Sequence, residues 1–70
     1  MIRDEELQQW HDVLKAKQDA LEPYLTLSQM REVLGFENNG RLRYIIQKMV
    51  QKGLAQEFNF GEYQKRYRFL

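Results

Sequence analysis

Residues 25–53, LTLSQMREVLGFENNGRLRYIIQKMVQKG, decide how this chain folds. They read as helix, short turn, helix. Thr26-Leu27-Ser28-Gln29 is a helix start. A Thr at the N-cap takes the backbone N–H three residues on, and a Gln there reaches back to the N–H of the cap. Leu25 before the cap and Met30 inside the helix are spaced as a hydrophobic staple. Leu27, Met30, Val33 and Leu34 recur at helical spacing, and Gly35 stands where a left-handed residue closes a helix, which gives a helix over 27–34. The next helix starts at the Asn38 cap and covers 39–52. Its Leu42, Ile45, Ile46, Met49 and Val50 form a core-facing stripe, and Gly53 ends it, with Lys48 and Lys52 suiting the negative end of the helix dipole. Asn38-Asn39-Gly40 also has the composition of a β-turn, which would delay the helix start to about Arg41.

The opposite side of that second helix carries the functional expectation. At about 100° per residue, Gly40, Tyr44, Gln47, Lys48 and Gln51 point away from the stripe, with Arg41 and Arg43 on its flanks. Arg pairs bidentately with guanine, Gln does so with adenine, and Lys or Tyr reaches phosphates, so the face suits a helix in the major groove of DNA. A solvated charged face is the plainer reading of the same residues.

The run LGFENNGRLRYIIQKMVQKGLAQ, residues 34–56, resembles the helix-turn-helix of winged-helix repressors, most closely the N-terminal DNA-binding domain of LexA-type repressors. The shared features are the Leu-Gly-Phe turn, the apolar offsets of the second helix, and a Lys-Gly followed by a strand. The likeness runs without gaps from about Met30 to Gln56 and more loosely to Leu70. It implies an α+β winged helix-turn-helix of three helices and a C-terminal two-stranded β-hairpin wing, with a short third strand near Tyr24–Thr26. It implies base contacts by the early recognition-helix residues, which here are Asn38, Gly40, Arg41, Arg43 and Tyr44, with Asn39 beside them. The family has small and acidic residues at the positions of Arg41, Arg43 and Tyr44, so its target sequence does not carry over. Nothing in these 70 residues corresponds to the family's self-cleaving C-terminal domain.

Working outward, residues 3–22 read as an amphipathic helix, with Asp4 as N-cap and Glu5 and Glu6 at the positive end of the dipole. Leu7, Trp10, Val13, Leu14, Lys17 and Leu21 make its inward stripe, Trp10 as a core anchor, with His11 a half-exposed neutral imidazole next to it. Pro23 forbids continuation and biases Glu22 away from helix. On the C-terminal side the period changes to two over 54–60 and 62–70 around the turn Asn59-Phe60-Gly61-Glu62, which is a β-hairpin over 54–70. Arg66 and Arg68 share one strand face, spaced to straddle phosphates, and Lys65 adds a third cation. A charged strand that blunts a sheet edge is the competing reading.

Seventy residues imply a single domain, 1–70, with a small core. Without cysteine there is neither disulfide nor thiolate metal site, and a lone His does not make one either. No apolar run approaches the length of a membrane span and no signal peptide is legible, so the sequence predicts a cytoplasmic domain with no membrane partner. The net charge of +1 hides a split: residues 1–30 sum to −3 and residues 31–70 to +4, which points the second half at a polyanion. No paired carboxylates, nucleophile or phosphate-cradling glycine loop suggests an enzyme, a cofactor or a small-molecule substrate. The sequence therefore predicts sequence-specific double-stranded DNA binding by a small transcriptional regulator or repressor. Its candidate site is Asn38, Asn39, Gly40, Arg41, Arg43, Tyr44, Gln47, Lys48, Lys65, Arg66 and Arg68. The alternative is a winged-helix module docking a protein through Tyr44, Phe60 and Tyr63, and a homodimer or partner protein stays open in either case.

Overall fold

A computed structural model of the chain describes residues 2–18, 23–61 and 64–70. In chain order its elements are α1 (Asp4–Lys17), β1 (Leu25–Thr26), α2 (Leu27–Leu34), α3 (Asn39–Gln51), β2 (Ala55–Asn59) and β3 (Lys65–Phe69). Among the described residues the three helices and one antiparallel sheet make an α+β fold. The strand order is β1-β3-β2, so β3 is central, with Leu25 opposite Tyr67 on one side and Glu57 opposite Tyr67 on the other.

The caps written in residues 26–53 are formed. Thr26 Oγ1 accepts from the Gln29 N–H at 3.3 Å, and the Thr26 N–H donates to Gln29 Oε1 at 2.9 Å, a closed capping box. Gly35 takes φ 75° and its N–H donates to the Arg31 carbonyl at 2.8 Å. Asn38 Oδ1 accepts from the Arg41 N–H at 3.2 Å, so α3 begins at Asn39 and the β-turn alternative does not hold. At the far end Gly53, with φ 76°, donates to the Val50 carbonyl and Leu54 to that of Met49, the paired bonds of a Schellman close. Lys52 is thereby the cap, and α3 stops one residue short of the expected 52.

α1 departs from expectation in three ways. Its N-cap is Arg3, whose side chain makes no capping bond, and Asp4 is the first helical residue, its carboxylate paired with Lys52, the C-cap of α3. The helix ends at Lys17 rather than 22; Gln18 is extended (φ −62°, ψ 128°), and positions 19–22, with Leu21 and Glu22, lie outside the described residues. The buried line is Leu7, His11 and Leu14, with Trp10 half-buried beside it and packed edge-on to Phe36 at 5.9 Å. Val13 is 43% exposed and His11 only 5%, so the buried stripe is rotated from the expected one. Its physical reason is spacing: positions 7, 11, 14 and 18 follow i, i+4, i+7, i+11, and two of these four are polar.

Core side chains come from every element: Leu7 and Leu14, Met30, then Leu42, Ile45, Ile46 and Met49, against Leu25, Ala55, Tyr67 and Phe69 on the sheet. The hairpin strands are shorter than 54–60 and 62–70. Phe60 donates to the Gln64 carbonyl at 2.9 Å and Gly61 takes φ 137°, so the connection is wider than a turn over 59–62.

Candidate functional site

α3 is held at both ends by its caps and along one side by four buried residues, so its remaining side chains are carried on a fixed support. They divide into two groups. Arg43 and Gln47, one turn apart, line an open cleft of about 710 Å³ between α3, the start of α2 and β3. Thr26, Leu27 and Ser28 form the α2 wall, and Gln64, Lys65, Arg66 and Tyr67 the hairpin wall. Tyr44 and Lys48 turn the other way. With Ile2, Asp4, Leu7 and Lys52 they border a second hollow beside the start of α1, and Lys48 Nζ lies 5.6 Å from the centre of the Tyr44 ring. Lys48 is half-buried there rather than fully outward.

Asn38, Asn39, Gly40 and Arg41 are exposed at the start of α3. A Cβ at Gly40 would meet Asn38 Oδ1 at 3.5 Å, ordinary contact, so the fold does not demand glycine there. Of the hairpin cations, Lys65 is on the cleft side and sits 3.6 Å from Glu57 Oε1. Arg66 and Arg68 share the opposite, outer sheet face, as their spacing required. The Arg66 guanidinium lies 5.3 Å from the centre of the Phe60 ring. Phe60 in turn belongs to an aromatic cluster with Tyr24 and Phe58, the Tyr24 ring standing 5.0 Å from Phe58 and 5.4 Å from Phe60 in edge-to-face fashion. Tyr44 and Phe60 are half-exposed (52% and 50%) but belong to different clusters, and Tyr63 lies outside the described residues.

Three cleft features escape a reading of the sequence. Ser28 and Gln64 border it, brought there by the pairing of β1, which leads directly into α2, with β3. Glu57 stands behind it, accepting from Gln47 Nε2 at 3.2 Å. The signal for Glu57 was its period-two relation to the small, buried Ala55, which puts both on the inner sheet face. Burial pushes the Tyr67 phenol up from its ordinary range, the Glu57 carboxylate adds to the rise by charge and hydrogen bonding, and Arg43 opposes it.

Among the described residues, no group of three or more His, Cys, Asp or Glu side chains is placed to hold a metal ion. No helix there is long and apolar enough to cross a membrane. Compared with protein-family models, with characterised proteins and with solved structures, the chain has no significant match.

Proposed function

We propose that this chain is a winged helix-turn-helix domain that binds double-stranded DNA in a sequence-specific way, as a small transcriptional regulator or repressor in the cytoplasm. The observation that carries the reading is the cleft, where Arg43 and Gln47 of α3 face Lys65 of the hairpin. A helix offering Arg and Gln on one line has the donors and acceptor that distinguish guanine and adenine edges. Cations on an adjacent hairpin suit the backbone phosphates that fix register. In this reading α3 is the recognition helix, with its exposed first turn, Asn38 to Arg41, nearest the bases, and the hairpin is the wing. Lys65, Arg66 and Arg68 supply contacts that are independent of sequence. The reading is of a binding module that acts without catalysis, cofactor or metal.

The test is selection from random duplexes followed by titration at fixed salt. Arg43→Ala should cost about 1–3 kcal/mol on the selected site and little on random DNA, whereas Lys65→Ala should weaken both and lower the salt slope by about one. Equal losses from Arg43→Ala on both duplexes would reduce α3 to an electrostatic surface. Tyr24, Phe58 and Phe60 favour a second reading, a protein docked on the outer sheet face. Such a complex would weaken only mildly with salt and would be lost in Phe60→Ala.

A further inference from the structure

Glu57 is opposite Tyr67 in the ladder, and its side chain is only 24% exposed. Its Oε2 accepts from Gln47 Nε2 at 3.2 Å and its Oε1 faces Lys65 Nζ at 3.6 Å. Gln47, Lys65 and Tyr67 all line the cleft, so this one carboxylate gathers cleft side chains from α3 and from β3. An ionised carboxylate accepts hydrogen bonds and donates none. Flipping the Gln47 amide would set its Oε1 against Glu57, acceptor to acceptor. Glu57 therefore selects the rotamer with Nε2 inward. One amide hydrogen serves Glu57, which leaves the second hydrogen and Oε1 as the donor and acceptor that N7 and N6 of adenine require.

We propose that Glu57 is a positioning residue for sequence reading: it fixes the orientation in which Gln47 meets adenine, and its negative charge holds down binding to arbitrary duplex. The proposal rests on the DNA-binding function above. It predicts two effects of opposite sign. Glu57→Ala removes a negative charge beside Lys65 and the approaching phosphates, so affinity for random DNA rises. The same change releases the Gln47 amide, so discrimination at the adenine it reads falls by roughly 5- to 150-fold. Glu57→Gln keeps an acceptor for Gln47 without the charge; it should bind random DNA more tightly, as Glu57→Ala does, yet still discriminate. A role confined to folding would lower both affinities together.

The experiment measures wild type, Glu57→Ala, Glu57→Gln and Gln47→Ala on the selected duplex, on one with the read adenine replaced, and on random duplex. The Gln47 side-chain amide resonances of the free protein are recorded in parallel. Discrimination lost in Glu57→Ala and Gln47→Ala, retained in Glu57→Gln, with random binding raised in both Glu57 variants, is the expected result. Wild-type discrimination in Glu57→Ala, or amide resonances that do not move in that variant, would overturn the proposal while leaving the DNA-binding function standing. A wild type that selects no duplex at all would remove that function, and the positioning role with it.

Discussion

Gln18 shows how one polar side chain ends a helix and completes a sheet. β1 pairs with β3 only at Leu25–Tyr67 and Thr26–Arg66. Continued by two residues, that register would bring Pro23 opposite Phe69, and proline has no N–H to give. The Gln18 amide fills the position: its Nε2 donates to the Phe69 carbonyl at 3.1 Å, and its Oε1 accepts from the Phe69 N–H. Lys15 adds a bond to the Leu70 carbonyl at 2.8 Å. Continuing α1 through Gln18 would withdraw that amide from the edge of β3. Gln18→Ala leaves both backbone groups of a buried residue without this partner, and unmet buried groups cost about 1–3 kcal/mol each. We expect a loss of about 1–3 kcal/mol in urea unfolding, with water meeting part of the need; a loss under about 0.5 kcal/mol, the range of ordinary surface changes, would make the contact incidental. None of this was legible in the sequence. His11, Gln18 and Glu57 are polar residues at inward positions, and an apolar count treats each of them as a gap in the pattern.

Elements fixed by local chemistry were legible, and elements fixed by distant partners were not. α2 and α3 follow from Thr26, Gln29, Gly35, Asn38 and Gly53, whose bonds close within five residues. The end of α1 depends on Phe69, 51 positions away, and no local signal at Gln18 encodes it. The cleft lies between. Arg43 and Gln47 could be placed on an outward helix face from spacing, yet their separation from Tyr44 and Lys48 depends on how α3 settles between α1 and the hairpin. Gly40 provides a test on α3 itself. Its φ is not in the left-handed region and a Cβ has room, so Gly40→Ala should raise stability by about 0.4–1 kcal/mol through the unfolded chain and helix propensity. If the start of α3 approaches a duplex as closely as the proposed function requires, the same methyl should weaken DNA binding. Thermal unfolding and duplex titration on one sample check both signs. Higher stability with unchanged affinity would move the contact surface away from Gly40.

At the scale of the whole molecule, Tyr67 is where the parts meet. It is flanked by Leu25 of β1 and Glu57 of β2, belongs to the core, and contributes to the cleft wall. Burial, and then the Glu57 carboxylate, favour the neutral phenol, so its folded pKa is raised above the unfolded value near 10. A raised pKa means that the folded state holds this proton more tightly than the unfolded chain. The stabilisation is complete below about pH 10 and is lost as pH climbs through the folded pKa, because phenolate formation then has to occur against burial and a neighbouring anion. Lysines titrate in the same range, so the informative quantity is a difference between variants. Tyr67→Phe removes the phenol and keeps the ring. The stability gap between wild type and Tyr67→Phe should be level below about pH 9 and should move against wild type above about pH 10. Urea midpoints measured across that range give the curve, and phenolate absorbance followed through the transition assigns it. A gap that stays level to about pH 11 would mean that Tyr67 titrates as freely in the fold as in the unfolded chain. Glu57→Gln should shrink the alkaline loss without abolishing it, since burial is the larger cause and the carboxylate the smaller.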